Sequence, residues 1–174
     1  MRIKPELLAA VRGLITQARQ QAVRAVDAER VLLYWHIGQV ILEEEQHGAD
    51  RAAYGSNLIK GLAAKLQPQF GSGFSERQLH WYVQFYRTFP IVTALRSQFS
   101  WTHYRKLLQL DNADKREFYV AEAAKNNWSA RQLERQVNSQ LFERLLLSND
   151  VAAVLAVARQ EQWGGRVKQE IIGW

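Results

Sequence analysis

The chain has no cysteine, which excludes disulfides and thiolate-bound metals and suits a reducing compartment. Long apolar runs are missing as well. The opening stretch MRIKPELLAAVRGLITQARQ has no continuous apolar core, so it reads neither as a signal peptide nor as a transmembrane span. A soluble, cytoplasmic protein with no membrane partner is expected. No segment sustains the period-two alternation of a half-buried strand, although Arg166 to Trp174 could pair as one. The expected fold class is therefore all-α, a compact helical domain.

The usual signs of catalysis are absent too. His36, His47, His80 and His103 lack the i, i+4 pairing beside a carboxylate that a zinc hydrolase uses. Gly71-Ser72-Gly73 has neither the preceding strand nor the following lysine of a phosphate loop. A metal-dependent nuclease holds Mg²⁺ with an Asp and a Glu-x-Lys on adjacent strands, whereas the acidic residues here fall on predicted helices or their caps. No catalytic residue, metal site or cofactor is expected, and the chain is not read as an enzyme.

What is present is positive charge in one place. Lysine and arginine number 23 against 17 aspartates and glutamates, a formal charge of +6. From Met1 to Glu45 the signs cancel, six against six, and from Asp111 to Trp174 they cancel again, nine against nine. The excess lies between Gln46 and Leu110, where Arg51, Lys60, Lys65, Arg77, Arg87, Arg96, Arg105 and Lys106 face only Asp50 and Glu76. Such a surface suits a polyanion. It also fits a solvated face that aids solubility.

Along the chain, Pro5 opens a helix to about Val26 with Leu7, Leu8, Val11, Leu14, Ile15 and Ala18 as its apolar stripe. Asp27 breaks that pattern. A second helix follows through Tyr34, Trp35 and Gly38 to Glu45, and the two predict a long N-terminal helical hairpin, with Gly38 marking a close helix contact. A loop to Tyr54 leads to a helix over 55–67, stopped by Pro68. Ser75, with Gln78 three residues on, caps a helix reaching Phe89. Its aromatics, Trp81 to Phe89, fit a core better than a base-stacking platform, leaving Arg77, His80, Gln84 and Arg87 on the complementary positions. Ser100 caps a further helix to Gln109, and Asp111 caps the next. A last helix over 149–162 precedes a weakly specified tail.

The most informative stretch runs from Glu117 to Leu141. Phe118, Ala121 and Ala124 share one helical face, and Leu133, Val137 and Leu141 share another. Between these helices Asn127 tolerates a left-handed backbone, and Ser129 with Gln132 forms a capping box. Ala123, Asn127 and Leu133 occupy the small, left-handed and apolar positions that a helix-turn-helix needs. The outward face of the second helix then carries Arg131, Glu134, Arg135 and Asn138, with Ser129 and Ala130 leading, side chains suited to phosphates and base edges. The same pattern fits a plain helical hairpin in an all-α core. Ser75-Glu76-Arg77-Gln78-Leu79 echoes Ser129-Ala130-Arg131-Gln132-Leu133, as a second, related unit would.

Six signatures in order resemble a known family. They are Leu33-Tyr34-Trp35-His36-Ile37-Gly38, Tyr54-Gly55, Phe70-Gly71-Ser72-Gly73-Phe74-Ser75, Ser100-Trp101-Thr102-His103-Tyr104, Arg116-Glu117-Phe118-Tyr119, and Asn127-Trp128-Ser129 through Arg135. They are similar to the N-terminal domain of the YhcG-like family, a domain of unknown function, over roughly Leu7 to Leu147. The resemblance implies a winged-helix-like DNA-binding module placed before a PD-(D/E)XK nuclease domain. It also implies that Arg131, Gln132 and Arg135 lie on a helix that reads DNA. After Asn149 this chain departs from the family, because no nuclease core follows.

The expected organisation is a helical DNA-binding domain over residues 1–148 and a C-terminal helix and tail over 149–174. The expected function is a non-catalytic targeting module for duplex or branched DNA. Ser129, Arg131, Gln132 and Arg135 would lie at the groove, and Lys60, Lys65, Arg77, Arg105, Lys106 and Lys125 on phosphates, with Gln78 as the counterpart of Gln132 in the echo. A homodimer and a nuclease domain or subunit are the protein partners this allows. The alternative is a helical interaction or dimerisation module without DNA affinity.

Overall fold

The structure is a computed structural model that describes residues 4–47, 51–95, 97–150, 152, 154 and 158, with residues 51–54 described by backbone alone. The expected helix over 149–162 and the tail lie largely outside the described residues. Seven α-helices are described: α1 (Pro5–His47), α2 (Arg51–Phe70), α3 (Glu76–Thr88), α4 (Trp101–Leu108), α5 (Ala113–Lys125), α6 (Ala130–Asn138) and α7 (Leu141–Leu147). No strand occurs among the described residues, so the all-α class holds while no wing is seen. None of the described helices is long and apolar enough to cross a membrane. The chain divides into two compact units, Met1–Trp101 and Thr102–Trp174.

In the first unit the N-terminal hairpin is corrected. α1 is one helix of 43 residues that runs through Asp27. An interior aspartate costs a helix only about 0.7 kcal/mol relative to alanine, and here Asp27 pairs with Arg30 at 3.5 Å. Without a proline or glycine beside it, the break in the apolar pattern does not break the backbone. α2 begins at Arg51 instead of after Tyr54 and packs on α1, as α3 does more extensively. Pro68 lies inside the last turn of α2 and does not stop it. The helix ends at Gly71, whose φ of 91° lies in the left-handed region that glycine enters without strain.

Val31, Trp35, Gly38 and Ile41 repeat at helical spacing and turn one face of α1 inward. That face meets Leu79, Tyr82 and Val83 of α3 and Ile59 and Ala63 of α2. Tyr34 stacks on Tyr82 with ring centroids 4.2 Å apart, and Trp101 sets its edge against both. Buried polar tips find partners: Trp35 Nε1 donates to Phe89 O at 2.6 Å and Tyr82 Oη to Gly73 O at 2.7 Å. Of the aromatic run, Tyr82 and Phe85 are core and almost fully buried, while Trp81, Tyr86 and Phe89 are half-buried. Gly38 is where α1 and α3 touch, since a Cβ there would stand 2.0 Å from Tyr82 O. Of the three glutamates ending α1, Glu45 has a structural use: it turns inward, 13% exposed, to hold Arg87 of α3 at 3.1 Å.

The second unit contains α5, α6, α7 and all of α4 after Trp101. Its core includes Tyr104, Leu107, Leu108, Tyr119, Ala123, Leu133 and Leu141. Two local expectations change here. The N-cap of α5 is Asn112, whose side chain accepts from Lys115 N at 2.8 Å, and not Asp111. The helix starting at Ala130 does not continue through Leu141: it ends at Asn138, and Gln140 takes a left-handed conformation before α7 begins.

Candidate nucleic-acid interface

The junction of α5 and α6 follows from its sequence residue by residue. Asn127 adopts φ 50°. Trp128 N donates to Ala123 O at 3.0 Å and Asn127 N to Ala124 O at 3.5 Å, the paired bonds of a Schellman helix end. Ser129 Oγ accepts from Gln132 N at 3.2 Å while Ser129 N donates to Gln132 Oε1 at 2.7 Å, completing the capping box. Ala123 and Leu133 are fully buried where the helices meet.

Two residues outside the helix-turn-helix positions lock this junction. His103 is buried, and its Nε2 donates to Trp128 O at 2.8 Å. Trp128 is itself buried. Tyr119 Oη donates to Gln136 O and accepts from Phe142 N, each at 3.2 Å, which ties α5, α6 and α7 together. Gln136 turns inward beside Leu133, and its Oε1 is buried without a hydrogen-bond partner among the described residues. One signal was available: His103 stands four residues before the core residue Leu107, on the same helix face.

With Leu133 and Gln136 inside, α6 presents Ser129, Arg131, Arg135 and Asn138 to solvent, and Lys125 is exposed at the end of α5. Neither Arg131 nor Arg135 takes part in an ion pair among the described residues. Gln132 is half-buried and occupied by the cap. Arg105 and Lys106 are half-buried on α4. Lys106 Nζ reaches Glu134 at 2.5 Å, so its charge is already partnered across α4 and α6. Lys115 on α5 pairs with Glu143 on α7. That bond holds the Glu143 carboxyl below its ordinary range and lifts Lys115 above its own.

The remaining predicted residues lie in the first unit. Lys60 and Lys65 are exposed on α2, Arg77 is exposed at the start of α3, and Gln78 is half-buried beside it. Ser75 marks the start of α3 by its backbone, but its side chain makes no cap bond, so the echo of the Ser129 box is one of letters and not of hydrogen bonds. A surface depression of about 510 Å³ is lined by Glu76, Arg77, His80, Trp81 and Gln84. A second, of about 450 Å³, shares His80 and Gln84 and extends to Glu45 and Arg87. Among the described residues no group of three His, Asp or Glu could hold a metal ion.

Comparison with known proteins shows a family and a relative. The family described as the DUF1016 N-terminal domain matches residues 10–144. The protein named Putative nuclease YhcG, from Escherichia coli (strain K12), is 34% identical over 174 aligned residues, covering 82% of this chain and 46% of that protein. The chain thus spans less than half the length of this relative. No solved structure matches the chain.

Proposed function

Because the chain belongs to the DUF1016 N-terminal domain family, we propose that it is a non-catalytic DNA-binding module of a YhcG-like, nuclease-type protein. In this reading α5 and α6 are a helix-turn-helix, and α6 approaches duplex or branched DNA. The carrying observation is the pair Arg131 and Arg135, one turn apart, exposed and without ion pairs among the described residues, on the face opposite Leu133 and Gln136. Unpaired guanidinium groups on a short exposed helix suit phosphates and guanine edges, and a major groove about 12 Å wide admits such a helix. Lys125 and Ser129 flank the same face and would fix its register on the backbone. Lys60, Lys65, Arg77, Gln78 and Arg105 would add phosphate contacts. Lys106 contributes only where a phosphate displaces Glu134. Tethered to a nuclease domain or subunit, the module would supply targeting while the partner supplies cleavage.

The test is a salt-titrated anisotropy measurement on duplex, single-stranded and branched DNA. Binding should weaken with salt, with a log-log slope of about 0.9 per neutralised phosphate. Arg131→Ala combined with Arg135→Ala should flatten that slope by roughly 1.8 without changing the helical content. Undetectable binding at low salt, or binding indifferent to the double substitution, would sink the reading.

A further inference from the structure

α1 is buried along its C-terminal part alone. Val31, Trp35, Gly38 and Ile41 lie inside, whereas every residue from Pro5 to Val26 is exposed. This free part is not polar: Leu7, Leu8, Val11, Leu14 and Ile15 are 42% to 66% exposed. A contiguous exposed apolar stripe of this kind marks an interaction surface. We propose that the free part of α1 is a dimerisation arm, pairing antiparallel with the same segment of a second copy of the chain.

The residues select a second copy, and one register, on two grounds. Positions spaced alternately by three and four, Leu8, Val11, Ile15, Ala18, Ala22 and Ala25, run from large to small. An antiparallel pair with its two-fold axis between Thr16 and Gln17 sets Leu8 against Ala25, Val11 against Ala22 and Ile15 against Ala18. Every large residue then meets a small one, and the seam has even thickness. A parallel pair would set Leu8 on Leu8 and Ala22 on Ala22, crowded at one end and gapped at the other, and the gap would forfeit dispersion attraction.

The second ground is length. In the antiparallel register Pro5 lies opposite Ala28, so the overlap closes just before Val31, where α1 starts to bury against its own unit. The free length and the paired length coincide. That overlap is roughly 36 Å long at about 1.5 Å per residue. Two helices joined over this distance would bury on the order of 1,200 Å² in total, the low end for a specific interface. The register also brings Arg12 of one copy near Arg19 of the other at the exposed edge of the seam. Salt screens that repulsion, so the dimer tightens as salt rises, opposite to the dependence expected of DNA binding. The inference is independent of the DNA reading.

Sedimentation equilibrium on the full chain from about 1 to 200 μM should show a reversible dimer with micromolar dissociation. Ile15→Glu alters a residue exposed in the single chain, so circular dichroism should stay unchanged while dissociation rises at least about tenfold. Since the chain has no cysteine, register can be read directly by mixing an Ile15→Cys chain with an Ala18→Cys chain under oxidation. Disulfides should form between the two different chains in preference to either with itself. A chain monomeric across the whole range, a dimer untouched by Ile15→Glu, or preferential linking of Ile15→Cys to itself would each overturn the proposal.

Discussion

Gly38→Ala should destabilise the protein, although helix propensity alone says the reverse. In an open helix interior alanine is favoured over glycine by about 1 kcal/mol. At position 38, however, the added Cβ would stand 2.0 Å from Tyr82 O, 2.6 Å from Tyr82 C and 3.2 Å from Tyr86 Cβ. Two of these atoms belong to the backbone of α3 and cannot rotate away. α1 and α3 would have to part by roughly 1 Å, in an interior packed as closely as an organic crystal. Leu79, Tyr82 and Val83 sit at that contact with Ile41, and overpacking of such a core costs about 1–3 kcal/mol. We expect a net loss of about 1 kcal/mol, after the propensity gain is taken off. Gly13→Ala is the internal control, because the same helix there has nothing within 4 Å of the new Cβ, and it should gain up to about 1 kcal/mol. Thermal denaturation followed at a helical wavelength resolves both, since 1 kcal/mol moves the midpoint of a chain this size by about 2–4 °C. A Gly38→Ala protein as stable as its parent would refute the close approach of α1 to α3.

Two further outcomes test the second unit and the cap of α3. Ser129→Ala should cost about 1 kcal/mol, because the full capping box is lost, whereas Ser75→Ala should be near neutral, its side chain making no cap bond; equal losses on urea denaturation would contradict this difference. For the Lys115–Glu143 pair, the Glu143 carboxyl is lowered from its ordinary 4.5, chiefly by the bond from Lys115. Its contribution is therefore present above that value and fades as pH falls through the lowered one. Lys115 is raised from 10.5, chiefly by the same bond, so its share is present below 10.5 and fades as pH rises through the raised value. Burial also raises the Tyr119 hydroxyl, which confounds the alkaline limb, so the acid limb is the clean readout. Glu143→Gln should flatten the acid limb of a stability-versus-pH curve by no more than about 1 kcal/mol, since the carboxylate is 38% exposed. A larger drop would mean the pair is better shielded than its exposure implies.

Local chemistry was legible wherever a residue acts on its neighbours in the chain. Asn127 in its left-handed turn, the Ser129–Gln132 box and the inward Leu133 follow from bonds spanning a few residues, and they could be read from the letters. The continuity of α1 is not legible in the letters, because an apolar pattern reports which face is covered, not whether the backbone continues. When α1 passes from a free segment to a packed one near Val31 its pattern shifts, and that shift imitates a helix break at Asp27. Ser75 shows the reverse error. The letters of a capping box were present, but after the short 3₁₀ turn Ser72–Phe74 the side chain does not reach its amide.

The sequence by itself determined the helical class, the family, the turn at Asn127 and the outward arginines of α6. Each depends on period, backbone tolerance or short-range hydrogen bonding. Only the tertiary structure decided which charges remain available. Glu134 holds Lys106, Glu45 holds Arg87, and Arg131 and Arg135 have no ionic partner among the described residues. These pairings join residues 28 and 42 positions apart. A charge count along the chain cannot register them, because whether a lysine is available depends on the carboxylate that folding brings beside it.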